Sequence, residues 1–436
     1  MNYADIVNLV FSIITTMLGL FYIHYFVFAF VGLFTKKTFP KAEEQKKYGI
    51  VVSARNEASV IGNLIKSIQK TDYPQDKLHI FIVAHNCTDN TAQVCRELGA
   101  TVYEYSNENE KTKGYALKYL FNRIEEDYKI ENFDGFYVFD ADNIVSNNYF
   151  NKMNDAFVAN KCEAVITSYR HSKNFGYNMM SGLYGLYFLN GCRFEMRGRT
   201  ATNCSTRVSG TGYLMSSNVV KNGWNYVTLT EDWELTADQI IENHKVVYCD
   251  EAEFYDEQPT SFKVMWRQRV RWSRGHLLVC VTRLKDLLKS LFGKKKEHKY
   301  KVSLYDNIAN ILPFGLIFFV LGILQFIILL FAPLFGLSFW LVMWNWAKGM
   351  LFTFASVYLT CFIGAIVIFI AERKRVKGVK WYKKLGISLL WPLFLIIQMP
   401  IDAVALFSKN LAWKTIPHHD TTAIEDVTTT ANKKIK

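Results

Sequence analysis

Charge is absent from a long opening stretch of this chain and returns in a regular rhythm after it. Residues 6–35 carry no Asp, Glu, Lys or Arg. Such a run, once helical, crosses a hydrocarbon layer of about 30 Å with some tilt. A cleaved signal peptide would start with basic residues and have a shorter apolar stretch ending in small ones. Instead Asp5 precedes the run and Lys36-Lys37 close it. This predicts an uncleaved anchor, N-terminus outside, with the following chain in the cytosol.

From about residue 48 short apolar runs alternate with helical spacing. Tyr48–Ala54 and Leu78–His85 read as strands buried on both faces. Between them Val60, Ile61, Leu64, Ile65 and Ile68 keep a helical period. Residues 88–98 open with Asp and Asn and stop before Gly99, as a helix would. Residues 136–139 form another apolar strand that runs into Asp140. Repeated strand–helix–strand units predict an α/β domain with a mainly parallel sheet, and ligands collect at the carboxyl ends of such strands.

After Ser261 the pattern becomes amphipathic. Phe262, Trp266, Val270, Leu277 and Leu278 interleave with Lys263, Arg267, Arg269, Arg271 and Arg274, which predicts a segment lying along the membrane surface. Apolar stretches follow at 308–337, Phe339–Ala371 and 385–407, with a basic loop at 373–384 that belongs on the cytoplasmic side. About four spans are expected in all. Pro392 and Pro400 are candidate breaks in the last stretch, leaving a re-entrant or interfacial piece as an alternative, and whether 339–346 spans is open. The polar tail after His419 reads as disordered. The expected divisions are an anchor (1–37), a cytosolic domain (45–258), interfacial helices (259–300), a transmembrane region (301–408) and a terminal segment (409–436).

Composition sharpens this in two ways. The 436 residues are 50% hydrophobic and 15% aromatic, yet mean hydropathy is only +0.04, so very apolar stretches are averaged with ordinary polar ones. The net charge of +12 gathers beside the apolar stretches, as at 36–37, 294–296 and 373–384. That is the pattern of a cytoplasmic membrane face; the basic helix or aromatic ladder of a nucleic-acid binder is missing. The eight cysteines show no CxxC or metal spacing, which fits reduced cytosolic thiols.

Four charged signatures carry the candidate chemistry. Asp140 and Asp142, in Phe139-Asp140-Ala141-Asp142-Asn143, end a buried strand. Two carboxylates there suit a divalent cation, Mg2+ or Mn2+, that takes up charge growing on a leaving diphosphate; the structural alternative is a cap for a helix starting near Asn147. Glu57 follows the first strand and Asp89 the second, where a nucleotide base and ribose lie, although turn chemistry also accounts for them. Thr230-Glu231-Asp232-Trp233-Glu234-Leu235 begins a helix. Asp232 is the candidate general base for an acceptor hydroxyl, while Thr230 with Glu234 is also compatible with a capping box. In Gln268-Arg269-Val270-Arg271-Trp272 a guanidinium can fork onto phosphate and an indole can face a sugar ring; membrane anchoring is the plainer use.

In chain order, Asp89, then Asp140 and Asp142, then Glu231-Asp232, then Gln268-Arg269-Val270-Arg271-Trp272, the set resembles the membrane-embedded, processive family 2 glycosyltransferases: the cellulose, chitin and hyaluronan synthases and bacterial β-glucan or poly-N-acetylglucosamine synthases. The resemblance covers residues 45–285 or so by motif. It implies a GT-A-like (nucleotide-diphospho-sugar transferase) cytosolic domain with interfacial and transmembrane helices, in the plasma membrane. It implies that Glu57 and Asp89 contact uracil and ribose, that Lys113 lies near the uridine and phosphates, that Asp140 faces the donor, and that Asp142 sits closest to the metal. It gives Arg271 the diphosphate, and Gly212, Glu231, Gln268 and Trp272 the acceptor. Trp413-Lys414-Thr415 faintly resembles a gating segment.

The implied partners are a UDP-sugar, a growing polysaccharide and the lipid bilayer. The implied reaction is inverting, processive transfer to a β-linked polysaccharide with translocation, a β-glucan being favoured. A poly-N-acetylglucosamine-type product and single-sugar transfer to a lipid acceptor are the alternatives. A nucleotide-binding membrane transporter is the non-enzymatic one, and it would leave Asp140, Asp142, Asp232 and Arg271 without a joint reason. Polymer exit further predicts a shared aromatic and polar inner face on the spans, with Tyr305, Asn307, Asn310, Trp344, Trp346 and Tyr358 as candidates.

Overall fold

The apolar runs of the first half become the centre of an eight-stranded sheet in a computed structural model that describes residues 1–293, 301–408 and 420–422. The strands are β1 (Tyr48–Ala54), β2 (Leu78–His85), β3 (Thr101–Tyr105), β4 (Gly135–Asp140), β5 (Ile144–Val145), β6 (Val165–Ser172), β7 (Tyr213–Ser216) and β8 (Val246–Asp256). Their order is β3-β2-β1-β4-β7-β6-β8-β5. Four of the seven pairings are parallel, and the antiparallel ones involve β7 and the two-residue β5. The sheet is thus mixed: Gly210 and Gly212, at φ +78° and +65°, lead into β7, which lies antiparallel on β4.

Alternate residues of β1 serve two cores. Ile50 and Val52 pack with Leu64, Ile68 and Phe150 on one face, and Val51 packs with Phe81, Leu117 and Phe136 on the other. Burial on both faces is why this strand reads as an unbroken apolar run, at about 1.5–3 kcal/mol per large side chain.

Among the described residues three helical runs are long and apolar enough to cross a membrane: Tyr3–Phe34, Phe339–Ala371 and Trp381–Phe407. A fourth is a pair, Lys301–Ile311 and Phe314–Leu329, bent by 54°. These are three candidate spans, or four if the bent pair counts as one, and the break lies elsewhere than expected. Pro392 lies inside the helix Trp381–Ile396, and Pro400 inside Gln398–Phe407. The sharp bend falls instead at Pro313, whose missing N–H interrupts the ladder. Residues 339–346 belong to one continuous helix.

The amphipathic segment is a single helix, Phe262–Phe292, and it is clamped between two others. Arg269 Nη1 donates to the Phe394 carbonyl at 2.7 Å and Nε to Gln398 Oε1 at 2.8 Å. On the opposite side Arg283 binds Asp238 at 2.6 Å and Glu234 at 2.8 Å. Gly275 lets the helix approach Thr230, since a Cβ there would lie 2.5 Å from its side chain. The helix therefore joins the sheet domain to the last span. Trp413-Lys414-Thr415 and most of the polar tail lie outside the described residues.

Candidate active site

Ser53, near the end of β1, is in register with Asp140, the last residue of β4, and this edge opens onto a cavity of about 1050 Å³. Its walls come from the sheet, from the helices Glu231–Ile241 and Phe262–Phe292, and from the membrane helices. Glu57, Lys113, Asp140 and Asp142 line the sheet end. Glu231, Asp232, Gln268, Arg271 and Trp272 line the middle. One space thus gathers nine of the residues singled out in the sequence.

Lys113 opens the helix Lys113–Asp127 and organises the sheet end. Its Nζ pairs with Asp140, donates to the Gly210 carbonyl at 2.8 Å and lies 3.8 Å from Glu231 Oε1. Burial pulls its pKa down, but Asp140 and Glu231 outweigh that and raise it overall. Asp142 is buried, accepting from the Glu257 amide at 2.8 Å and from Asn143 Nδ2 at 3.2 Å. It does not cap the following helix, which starts at Tyr149 after Asn148 without a side-chain cap.

Asp256, at the end of β8, is gripped by Arg170, with Nε to Oδ2 at 2.7 Å. Burial raises its pKa, Arg170 opposes this, and the nearby Asp142 adds to the rise. Two carboxylates close enough to repel could share a divalent cation such as Mg2+ or Mn2+, which would relieve their repulsion. Among the described residues no three His, Cys, Asp or Glu side chains form a metal cage unaided.

The capping-box reading of 230–235 does not hold. Thr230 makes no capping hydrogen bond, and its Oγ1 is buried without a partner among the described residues. Glu234 is spent on Thr228 Oγ1 at 3.0 Å and on Arg283. Glu231 and Asp232 instead face the cavity, and burial raises the pKa of both. Lys113 opposes the rise in each, and Asp232 adds to that of Glu231. A carboxylate shifted upward is a better proton acceptor near neutral pH.

Arg271 and Arg269 are two positions apart and differ in use. Arg271 Nη1 donates to the Leu229 carbonyl at 3.2 Å, and no ion pair holds it among the described residues. Its charge is open to an anion in the cavity. Arg269 is the tie to the last span. Gln268 Oε1 is buried without a partner among the described residues, and Trp272 lies edge-on to Tyr184 at 6.1 Å.

Two expected contacts lie elsewhere. Asp89 is not in the cavity wall; its carboxylate accepts from the Thr91 amide at 3.1 Å and the Ala58 amide at 3.3 Å. It braces the loop that presents Glu57. Gly212 is also behind the wall, where a Cβ would lie 2.4 Å from the Phe254 ring, and its carbonyl accepts from Ser168 Oγ at 2.6 Å. Gly210 is the glycine that faces the site, its absent Cβ 3.8 Å from Asp232 Oδ2.

The cavity also holds residues that the sequence did not single out. Trp233 stacks on His276 at 4.4 Å, and the Arg207 guanidinium lies 5.3 Å over the Trp233 ring while pairing with Glu195 at 3.1 Å. Trp233 could have been found as the neighbour of Asp232. Arg207 could not, because Glu195 is presented by a π-helical turn at Gly191–Met196.

Toward the membrane the wall becomes Phe314, Val357, Leu395 and Met399, with Tyr22, Tyr25, Asn310, Gln398 and Asp402 as its polar members. Of the inner-face candidates only Asn310 lines it. Tyr305 donates to the Phe21 carbonyl and Tyr358 to the Leu389 carbonyl, tying helices together. Trp344 is exposed, Trp346 packs on Phe326, and Asn307 is buried away from the cavity wall.

Known proteins share this arrangement to different extents. YdaM of Bacillus subtilis (strain 168), a probable glycosyltransferase, is 24% identical over 373 residues, 78% of this chain and 87% of that one. A β-monoglucosyldiacylglycerol synthase of Synechocystis is 25% identical over 233 residues, 52% of this chain and 47% of that one. A poly-β-1,6-N-acetyl-D-glucosamine synthase of Staphylococcus epidermidis is 21% identical over 298 residues, 66% of this chain and 68% of that one. In fold, the chain resembles a mannosyltransferase from Pyrobaculum calidifontis solved with GDP-Man and Mn2+, at a TM-score of 0.58 and 13% identity, covering 93% of this chain and 100% of that one. The sheet is that of a GT-A-like transferase. Residues 45–275 match the family described as "Glycosyltransferase like family 2", more than half of the sequence and the part that builds the sheet edge, and the chain is a glycosyltransferase of family 2.

Proposed function

We propose that this glycosyltransferase moves a sugar from a UDP-sugar to the end of a growing β-linked polysaccharide, with inversion, and feeds the product into the membrane. A β-glucan is the favoured product. The observation that carries this reading is the single cavity, continuous from Asp140 and Asp142 to the walls of the last span at Leu395 and Met399. The donor lies at the sheet edge, with Glu57 and Lys113 near the nucleotide and Arg271 on the diphosphate. Asp142, with Asp140 or Asp256, would hold a divalent cation, which would neutralise charge on the leaving group.

Asp232 accepts the proton of the acceptor hydroxyl. The acceptor oxygen then bonds to the anomeric carbon from the face opposite the diphosphate, the bond to UDP breaks, and an α-linked donor gives a β-linkage. Trp272 and Gln268 receive the acceptor sugar, whose ring places its C–H face on the indole. The basic loop 373–384 beside the candidate spans supports a sheet domain on the cytoplasmic side of the plasma membrane.

A second reading, single-sugar transfer to a lipid, is favoured by the apolar cavity walls at Val357, Leu395 and Met399 and by the Synechocystis relative. The test is purified protein in lipid with a panel of UDP-sugars plus Mg2+ or Mn2+. UDP release with one sugar, and a product cut by a β-specific hydrolase, is the expected result. Release with no UDP-sugar in the panel would overturn the donor assignment.

A further inference from the structure

Beside the cavity three segments meet on a surface that the transfer chemistry leaves unused: the loop 174–178 after β6, the start of the helix Phe262–Phe292, and the chain entering the last span at Trp381. Lys383 Nζ donates to the Gly176 carbonyl at 2.6 Å, and Asn178 Nδ2 donates to the Thr260 carbonyl at 2.8 Å. Met179 packs on Gly386, where a Cβ would lie 2.9 Å from its terminal methyl, and Val379 sits over Gly176. The sheet domain is thereby pinned to the membrane helix.

The surface combines bare rings with unpaired cations. Tyr177 is 74% exposed, Trp381 75%, Phe262 54% and Tyr382 50%. Residues 373–384 include seven Lys or Arg and no Asp or Glu. Arg375 is spent on Asp250 and Glu253, and Lys383 on Gly176. Lys374, Lys377 and Lys380 are exposed and make no ion pair among the described residues.

The fold sets the depth of this patch. Trp381 opens the apolar run that ends at Phe407, while Arg375 ties the loop to β8. The patch therefore lies at the bilayer boundary on the side of the sheet domain. Exposed aromatic rings at that depth suit the headgroup layer, and ammonium groups without carboxylate partners select a negative one.

We propose that this patch is a seat for anionic phospholipid headgroups in the leaflet facing the sheet domain. It also steadies the helix Met179–Asn190, whose first turn lies in the patch and whose Tyr187 and Phe188 line the cavity. The seat rests on Trp381–Phe407 spanning the membrane and is independent of which sugar is transferred.

Brominated lipids test it, because they quench tryptophan on contact. The full chain is placed in phosphatidylcholine vesicles containing brominated phosphatidylglycerol or the same fraction of brominated phosphatidylcholine. The Trp381 signal is taken as the difference from Trp381→Phe. Stronger quenching by the phosphatidylglycerol form is expected, with the preference falling roughly fivefold for each lysine lost in Lys374→Gln, Lys377→Gln and Lys380→Gln combined, and fading at high salt. Equal quenching by the two lipids, or a preference that survives the triple variant, overturns the seat. UDP release in the same vesicles should be several-fold higher with phosphatidylglycerol in the wild type only; equal rates would overturn the steadying of the cavity helix. Absence of any UDP release would count against the proposed function and leave the quenching result standing.

Discussion

The two ends of the cavity are built on opposite principles. At the sheet end most charges are already matched: Lys113 with Asp140, Arg170 with Asp256. At the membrane end the walls are largely apolar, and Asp402 accepts from the Gln398 amide at 2.6 Å. Between them sit Asp232 and Arg271, which make no ion pair among the described residues. Matched charges are held in place by each other, and apolar walls repel charge. Under the proposed function the diphosphate and the proton-transfer step meet there, next to the donor at the sheet edge, where an acid and a guanidinium remain available.

The sharpest way to break this contrast is Asp232→Asn. It should cost roughly 10³-fold in UDP release while donor binding, measured by calorimetry, stays intact. Turnover close to wild type would move the base elsewhere. Arg271→Gln should cost about 100-fold, appearing in kcat as lost stabilisation of the departing diphosphate; an effect confined to KM would make it a plain binding residue.

The pH profile is next in size. Glu231 and Asp232 are raised by burial, and the base must be ionised to work. Activity should therefore fall as pH drops through the raised pKa, about tenfold per unit along a limb above the ordinary carboxylate range. For stability the sign is the reverse. Raised carboxylates favour the fold below their unfolded pKa, and that contribution is lost as pH rises through the folded one. A limb at an ordinary carboxylate pKa would show the site to be wet.

Trp272→Ala should raise the acceptor KM about tenfold with a smaller change in kcat. Asp402→Asn should alter transfer by no more than about threefold, because an amide oxygen still accepts from Gln398. A larger loss there would mean that the membrane end does more than confine.

Much of the sheet was legible because β1, β2 and β4 are buried on both faces and read as apolar runs. The strands β6 and β8 were not, since Arg170 and Asp256 at their ends serve the site and Asp250, Glu251 and Glu253 interrupt the pattern. Motifs located Asp142, Asp232 and Trp272, but spacing cannot separate a residue that touches the cavity from one that braces it. That is why Asp89 lies on the exposed surface outside the cavity lining, Gly212 lies behind it and Gly210 faces the site. Arg207 was invisible because its partner is reached through a π-helical turn. Pro313 rather than Pro392 breaks a span, since the missing N–H of Pro392 is absorbed within a helix whose buried side packs on its neighbours.

The most direct measurement is product size in sealed vesicles, using the active UDP-sugar with a radiolabel and separating the products by length. The account predicts long chains, many sugars each, that are shielded from hydrolase added on the side of the sheet domain. A single-sugar glycolipid as the sole product would contradict it.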